Sequence, residues 1–125
     1  MKEITINIAR DFTKYPGGRF KDDGPFSGEA LRDDILIPAL RKYDIINLEL
    51  DGPLGYGSGV LEECFGGLIR EAGFSMFDLS KRINFISDNT KLLETIREYM
   101  DDADLEVLRT LTTKIAENSQ SNGVT

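Results

Sequence analysis

The chain has 125 residues, of which 40% are hydrophobic, and it carries a formal net charge of −7. This length fits one domain, and the apolar fraction is typical of a folded protein rather than a disordered one. The acidic balance argues against a nucleic-acid-binding protein, which needs a basic face. No apolar run approaches the roughly 20 residues that a membrane-spanning helix needs, so no membrane partner is expected.

The residue types narrow the possible activities further. There is no histidine, and Cys64 is the only cysteine. Without histidine the chain lacks the usual general base, the common nucleophile pairs and most zinc-site patterns. A lone cysteine fits a reducing compartment, and the start of the sequence lacks the apolar stretch of a signal peptide. We therefore predict a cytoplasmic protein that is not an enzyme and uses no metal or cofactor.

In chain order, the first elements predict a hairpin and a helix. Residues 4–8 alternate between apolar and polar side chains, which is the period of a half-buried strand. Turn residues at 15–18 then lead to 19–21, a short second strand. Ser27 is typical of a helix N-cap, and Pro38 inside that helix predicts a kink or a late restart.

The central segment predicts a strand, a glycine-rich loop and an amphipathic helix. Residues 45–50 form the strand, and apolar residues recur three and four apart after Ser58. Gly66 and Gly67 are unfavourable inside a helix, so we expect a close approach of this helix to the sheet. Gly73 is well placed to end the helix.

The last part of the chain predicts a strand followed by two helices. The strand covers 83–86, and Asp88 or Asn89 caps the next helix. The aspartates at 101–102 are expected to break that helix before a further one. The polar residues 118–125 are expected to form a flexible tail.

This order of elements predicts the α/β class: a layered fold with a mixed sheet of about four strands and helices packed against it. A single domain would cover 1–117. The glycine-rich loop at 52–59 then follows the carboxyl end of a strand, where sites in open α/β sheets tend to lie.

Four motifs together resemble a known family. They are PGGR at 16–19, DGPFSGE at 23–29, LDGP at 50–53 and EECFGGL at 62–68. As a set they resemble the STAS-like domain family of unknown function, which is related to the STAS domain of bacterial anti-sigma factor antagonists. The resemblance spans about residues 4–100, and it implies a STAS-like fold, a regulatory role and a bacterial or phage origin.

The resemblance also points to a regulated serine. In the antagonists, a serine at the start of the corresponding helix is phosphorylated by a partner kinase of the GHKL ATPase type. Aligning the strand end and the helix start puts Ser58 at this position, with Gly57, Gly59 and Glu62 beside it. A phosphate there would meet unpaired amides and the positive end of the helix dipole. Two alternatives stay open, namely that Ser58 only caps its helix or that it contacts a ligand.

Three other residues have both a structural and a functional interpretation. Asp51 is either a turn former or a residue that helps to hold the metal of a phosphate-bearing partner. Arg19 either binds an anion or pins the hairpin to the first helix through the acidic residues of 22–29. Cys64 lies on the apolar face of its helix, which predicts a buried and unreactive thiol. The acidic residues of 94–106 are expected to form a solvated face.

The leading hypothesis is a switch or adaptor that docks onto a protein partner, of which a GHKL-type ATPase is the candidate, through the loop at 52–59 and the following helix. The alternative is a small-ligand or nucleotide sensor that uses the same loop. A homodimer formed through the C-terminal helices or an exposed sheet edge is compatible with either.

Overall fold

The computed structural model describes the backbone of residues 1–123 and the side chains of residues 1–119. Within these residues, strands alternate with helices, which confirms the α/β class. The elements in chain order are β1 (Glu3–Asn7), α1 (Ile8–Asp11), a 3₁₀ turn (Lys21–Asp23), α2 (28–42), β2 (Ile45–Glu49), α3 (58–70), α4 (Met76–Arg82), β3 (Ile83–Ile86) and α5 (Thr90–Gly123).

The sheet has three parallel strands in the order β1-β2-β3. Ile6 lies opposite Leu48, and Leu48 lies opposite Phe85. In the described residues the sheet is therefore parallel throughout, not mixed, and the predicted count of about four strands is not confirmed. The central strand β2 carries both ladders, so its carboxyl end sits in the middle of one sheet edge.

The predicted N-terminal hairpin is wrong, because the segment before α2 uses its backbone on the helix instead of a strand. The carbonyls of Gly18 and Arg19 accept hydrogen bonds from the amides of Gly28 and Glu29, at 2.9 and 3.0 Å. Ser27 caps the same helix, since its hydroxyl accepts from the amide of Ala30 at 3.1 Å. The segment thus satisfies first-turn amides that a helix leaves open, and these contacts replace the predicted β pairing.

The two faces of the sheet differ in polarity. One face carries buried or half-buried apolar side chains, which pack against the helices: Ile4, Ile6, Ile46, Leu48, Ile83 and Phe85. On the other face, the side-chain nitrogen of Asn47 donates to the Glu3 carboxylate at 3.0 Å. The side-chain oxygen of Asn47 accepts from the side-chain nitrogen of Asn84 at 2.8 Å. Alternation along each strand therefore buries one face only.

Two helices contain a π-helical turn in their middle. Leu31–Leu36 is π-helical within α2, and Glu62–Gly66 is π-helical within α3. The late restart that Pro38 predicted does not occur, because the helix continues through this residue. The amide of Ile37 bonds the carbonyl of Arg32, five residues back, and the chain continues as a regular helix through Lys42. The π turn thus lies directly before the α-helical segment that contains Pro38.

Helix α5 runs without interruption from Thr90 to Gly123, so the predicted break at 101–102 is wrong. Ile96, Met100 and Ala103 are buried on one face and keep the helical period through this region. An exposed aspartate costs a helix well under about 1 kcal/mol, so the packing of that face outweighs it. The predicted tail at 118–125 is helical as far as Gly123, and residues 124 and 125 lie outside the described part.

Helix α4 was not predicted. Ser75 caps it by accepting from the amide of Asp78 at 2.9 Å. At its other end, the Arg82 guanidinium donates to the carbonyl of Leu40 in the last turn of α2 and to that of Tyr43 just after it. Arg82 thus satisfies carbonyls that the end of α2 leaves open. In the part of the chain that the structure describes, no helix is long and apolar enough to cross a membrane.

Candidate functional site

The glycine-rich loop follows β2 at the carboxyl edge of the sheet, where the sequence predicted it. Gly52 has a φ of 125°, and a Cβ at this position would lie 2.8 Å from the Cβ of Ala9. The Tyr56 hydroxyl donates to the carbonyl of Leu50 at 2.6 Å, and burial raises the pKa of this phenol above its ordinary value. The first half of the loop is therefore closed back onto the end of β2 by Tyr56, and Gly52 allows its close approach to Ala9.

Asp51 joins this loop to the next one. Its carboxylate accepts from the Ser87 hydroxyl at 2.6 Å and from the Asp88 amide at 2.9 Å. The hydrogen bond from Ser87, followed by that from Asp88, lowers the pKa of this exposed carboxyl. Both oxygens are thus engaged in ordering the loop between β3 and α5, which is a structural role closer to the turn interpretation than to metal binding.

Ser58 is the first residue of α3 and does not cap it. Gly57 is the N-cap residue, with extended backbone angles, and no side chain caps this helix. The interpretation of Ser58 as a cap is therefore wrong. The side chain is exposed, and its hydroxyl makes no hydrogen bond to any described residue. Ser58 thus presents a free hydroxyl at a helix N-terminus.

A depression of about 340 Å³ lies beside Ser58. Its floor and walls come from the glycine-rich loop, the start of α3 and the start of α5, where Lys91 and Thr95 contribute. Residues from the starts of two helices therefore line one concave surface, together with the Asp51 carboxylate, and a helix N-terminus favours negative charge. Lys91 forms no ion pair with the described residues.

Next to the depression, Arg19 contacts α3 rather than the acidic residues near it in sequence. Its guanidinium lies 2.6 Å from Glu62 and 3.5 Å from Glu63. The predicted pairing with residues 22–29 is wrong, since Asp23 and Glu29 accept hydrogen bonds from backbone amides instead. Arg19 still has a structural role, because its ion pairs connect the N-terminal segment to α3. The helix that it contacts is α3 and not the first long helix, α2.

Glu62 is shared between two arginines. The Arg70 guanidinium donates to both of its oxygens, at 2.7 and 3.2 Å, and Arg19 donates to one of them. Burial raises the pKa of Glu62, but the hydrogen bonds from Arg70 and Arg19 outweigh it and leave the pKa below its usual value. Glu62 therefore links the N-terminal segment, through Arg19, to the C-terminal end of α3, through Arg70.

A second ion pair lies deeper, between the π turns of α2 and α3. The Arg32 guanidinium donates to the Glu63 carboxylate at 2.5 Å and to the Glu63 carbonyl at 2.9 Å. Each residue is only 5% exposed. A π turn is rare and is frequently found at functional sites. Here the two π turns bring a buried opposite-charge pair face to face.

The two glycines inside α3 make room for these side chains. A Cβ on Gly66 would lie 2.5 Å from a Glu62 carboxylate oxygen, and one on Gly67 would lie 3.1 Å from Cδ of Arg32. Helix α3 thus has a close approach at these glycines, but the approach is to the ion-pair cluster and not, as had been expected, to the sheet.

A family model for the STAS-like domain of unknown function matches residues 27–93, which is more than half of the chain. The chain belongs to this family. The match confirms the resemblance and lies within the predicted span of 4–100. No curated protein and no solved structure matches the chain.

In this STAS-like domain, only some of the predicted site residues meet. Asp51 and Ser58 both line the depression, and Gly57 and Gly59 flank the serine. Glu62 lies one helical turn further on in the ion-pair cluster, with Arg19 packed against Gly59 at 3.5 Å from the position of its missing Cβ. The predicted residues therefore form two adjacent groups, a depression and a cluster.

Sequence reasoning missed the contribution of α5 to the depression. Lys91, Thr95 and Tyr99 are far from the glycine-rich loop in sequence. The only local signal was the predicted cap, and Asn89 does cap α5 by accepting from the Leu92 amide at 3.0 Å. The starts of α3 and α5 lie close together because β2 and β3, which precede them, are neighbours in the sheet.

Cys64 is fully buried, as predicted, and burial raises the pKa of its thiol well above the usual value. A raised pKa leaves almost no thiolate, so this sulfur is a poor nucleophile. Among the described residues, the acidic side chains of 94–106 form no group placed to hold a metal ion.

Proposed function

We propose that this STAS-like domain is a non-catalytic regulatory module that docks onto a protein partner through the depression and α3. Ser58 is the regulated residue, and a kinase of the GHKL ATPase type is the partner that the family resemblance implies. The observation that carries the proposal is the free, exposed hydroxyl of Ser58 at the N-terminus of α3. A serine that is not needed as a cap can be modified without loss of a structural hydrogen bond.

The surroundings of Ser58 favour a phosphate. The first-turn amides of α3 have no side-chain cap, so they remain open to an anion. Lys91 adds a positive charge at the same depression. Glu62, four residues on, opposes a phosphate on the same helix face, but its charge is already offset by Arg19 and Arg70. Phosphorylation would then change the docking surface without unfolding the helix.

The test is a pull-down from native lysate with wild type, Ser58→Ala and Ser58→Asp, read by mass spectrometry. The proposal expects a partner that wild type and Ser58→Ala hold and Ser58→Asp releases. Thr113→Asp is a matched control, because Thr113 also carries an exposed hydroxyl on a helix but lies far along α5 and away from Ser58. A partner that all four proteins hold equally would remove the switch at Ser58 and leave an adaptor.

The second candidate is a sensor of a small anionic ligand or nucleotide. The depression favours it, since residues from the starts of α3 and α5 line one volume of about 340 Å³, and Lys91 among them forms no ion pair with the residues that the structure describes. A ligand that binds only the folded state raises the melting temperature. A thermal-shift panel of nucleotides and inorganic phosphate, repeated with Lys91→Gln, tests it. No shift at millimolar ligand would refute this candidate and leave the docking proposal untouched.

A further inference from the structure

The second half of α5 leaves the domain and carries an uncovered apolar stripe. Its members recur three or four residues apart and are between 47% and 64% exposed: Leu105, Leu108, Leu111 and Ile115. Ala103 is buried and Val107 half-buried, and beyond Val107 no side chain through Ser119 is buried. The stripe therefore lies on a helix that its own domain does not support.

This part of α5 lacks the tertiary packing that supplies most helical stability in proteins. It also contains Thr110, Thr112 and Thr113, whose branched side chains lower helix propensity. A partner surface against the stripe would supply the contacts that the domain does not.

The same side of α5 borders an apolar groove. The groove lies between α4, β3 and the first half of α5, has a volume of about 470 Å³, and is lined by Met76, Ile83, Phe85, Leu93, Ile96 and Met100. Positions 93, 97, 100, 104, 108, 111 and 115 follow one another at spacings of three and four, so they lie along one side of the helix. Groove and stripe thus lie along the same side of α5, where Arg97 borders the groove and Asp104 lies between the groove and the stripe.

Charge indicates what covers this surface. Residues 90–106 of α5 hold six carboxylates and two cations, a net charge of −4, whereas residues 107–119 hold two cations and one carboxylate, a net charge of +1. A parallel pair of α5 helices would set the two acidic halves side by side. An antiparallel pair sets each acidic half against a basic one.

We propose that the occupant is a second copy of this chain, bound in a two-fold symmetric dimer. The stripe of each copy lies in the groove of the other, and the two α5 helices run antiparallel. A two-fold axis makes both contacts identical, so each substitution acts twice. Arg109 belongs to the basic half of α5, and Glu98 and Asp102 belong to the acidic half, so the antiparallel arrangement sets Arg109 of one copy against the acidic half of the second copy.

The first test measures the mass of the full chain by sedimentation equilibrium from micromolar to submillimolar concentration. The proposal expects a reversible approach to twice the chain mass of 14.0 kDa. Leu111→Asp should weaken the dimer by about a hundredfold or more, because a leucine is lost from each of two contacts. Thr113→Asn is the control and should dimerise normally, since it lies about 200° further around the same helix and leaves the charge of this half unchanged.

A charge reversal then tests the antiparallel arrangement. Arg109→Glu should weaken the dimer about threefold or more, and adding Glu98→Arg with Asp102→Arg should restore it. Far-ultraviolet circular dichroism verifies that each variant is folded. A chain that stays monomeric at every concentration, or that dimerises equally well with Leu111→Asp, overturns the proposal. Failure of the triple variant to restore affinity overturns the antiparallel pairing, and a monomer whose stripe binds an unrelated protein overturns the second copy as occupant.

Discussion

Loss of one partner from the buried ion pair between α2 and α3 provides a quantitative test of the cluster. In Arg32→Met the Glu63 carboxylate keeps its burial but loses its 2.5 Å contact. The cations that remain nearest to it are those of Arg19 and Arg70, at 3.5 and 3.7 Å. Methionine keeps most of the volume of the aliphatic stem, so the variant removes charge and hydrogen bonds more than packing.

The expected loss of stability follows from the burial of both groups. Removing one member of a buried pair typically costs 3–5 kcal/mol, because the other charge is left without compensation. Here the two remaining arginines compensate part of it, which points to the lower end, about 3 kcal/mol. That amount is a large share of the roughly 5–15 kcal/mol that stabilises a typical domain.

Equilibrium urea unfolding of wild type, Arg32→Met, Glu63→Met and the double variant measures the coupling between the two residues. The double variant should lose clearly less than the sum of the two single losses. Arg41→Met is the matched control, since this arginine is exposed on the same helix, and it should change stability by no more than about 0.5 kcal/mol. A loss in Arg32→Met as small as in this control, or additive single losses, would refute the role of the buried pair.

Three further predictions concern the site itself. Gly52→Ala should cost about 1–3 kcal/mol of unfolding free energy, because φ is 125° and the new Cβ meets Ala9; Gly55→Ala, with open space around it, should be near neutral in the same urea titration. The pKa of Glu62 lies below its ordinary value of 4.5, so this carboxylate adds stability above about pH 4.5 that is lost as the pH falls through the lowered value. In Glu62→Gln, the urea midpoint should therefore decline less steeply on the acid side than in wild type. An unchanged decline would contradict the pairing. Ser58→Asp should keep the melting temperature within a few degrees of wild type, since the helix dipole favours the new charge by about 0.3–1 kcal/mol; a large drop would mean that the pull-down reports unfolding instead of docking.

The local elements were largely within reach of the sequence. Ser27 and Asn89 cap their helices as predicted, and Gly73, with a φ of 81°, follows the end of α3. A cap or a left-handed glycine depends on a few neighbouring residues, so its sequence signal is local. Burial of Cys64 likewise follows from the helical period of its neighbours.

The predictions that were wrong concern features that depend on contacts between distant parts of the chain. The carbonyls in segment 17–20 accept hydrogen bonds from first-turn amides of α2 instead of from a neighbouring strand. A local sequence pattern does not show which of these two sets of hydrogen bonds forms. The break at 101–102 did not occur because burial of Met100 and Ala103 outweighs two exposed aspartates.

The sequence by itself determined the α/β class, the family and the position of the glycine-rich loop before α3, because periodicity, turn residues and motifs are written along the chain. Only the tertiary structure decided which charges meet. Arg19 and Arg70 converge on Glu62, Arg32 reaches Glu63, and Lys91 arrives at the depression beside Ser58. These pairings join residues up to 43 positions apart in the case of Arg19 and Glu62, and such distances close only when the parallel strands and the helices between them are packed together.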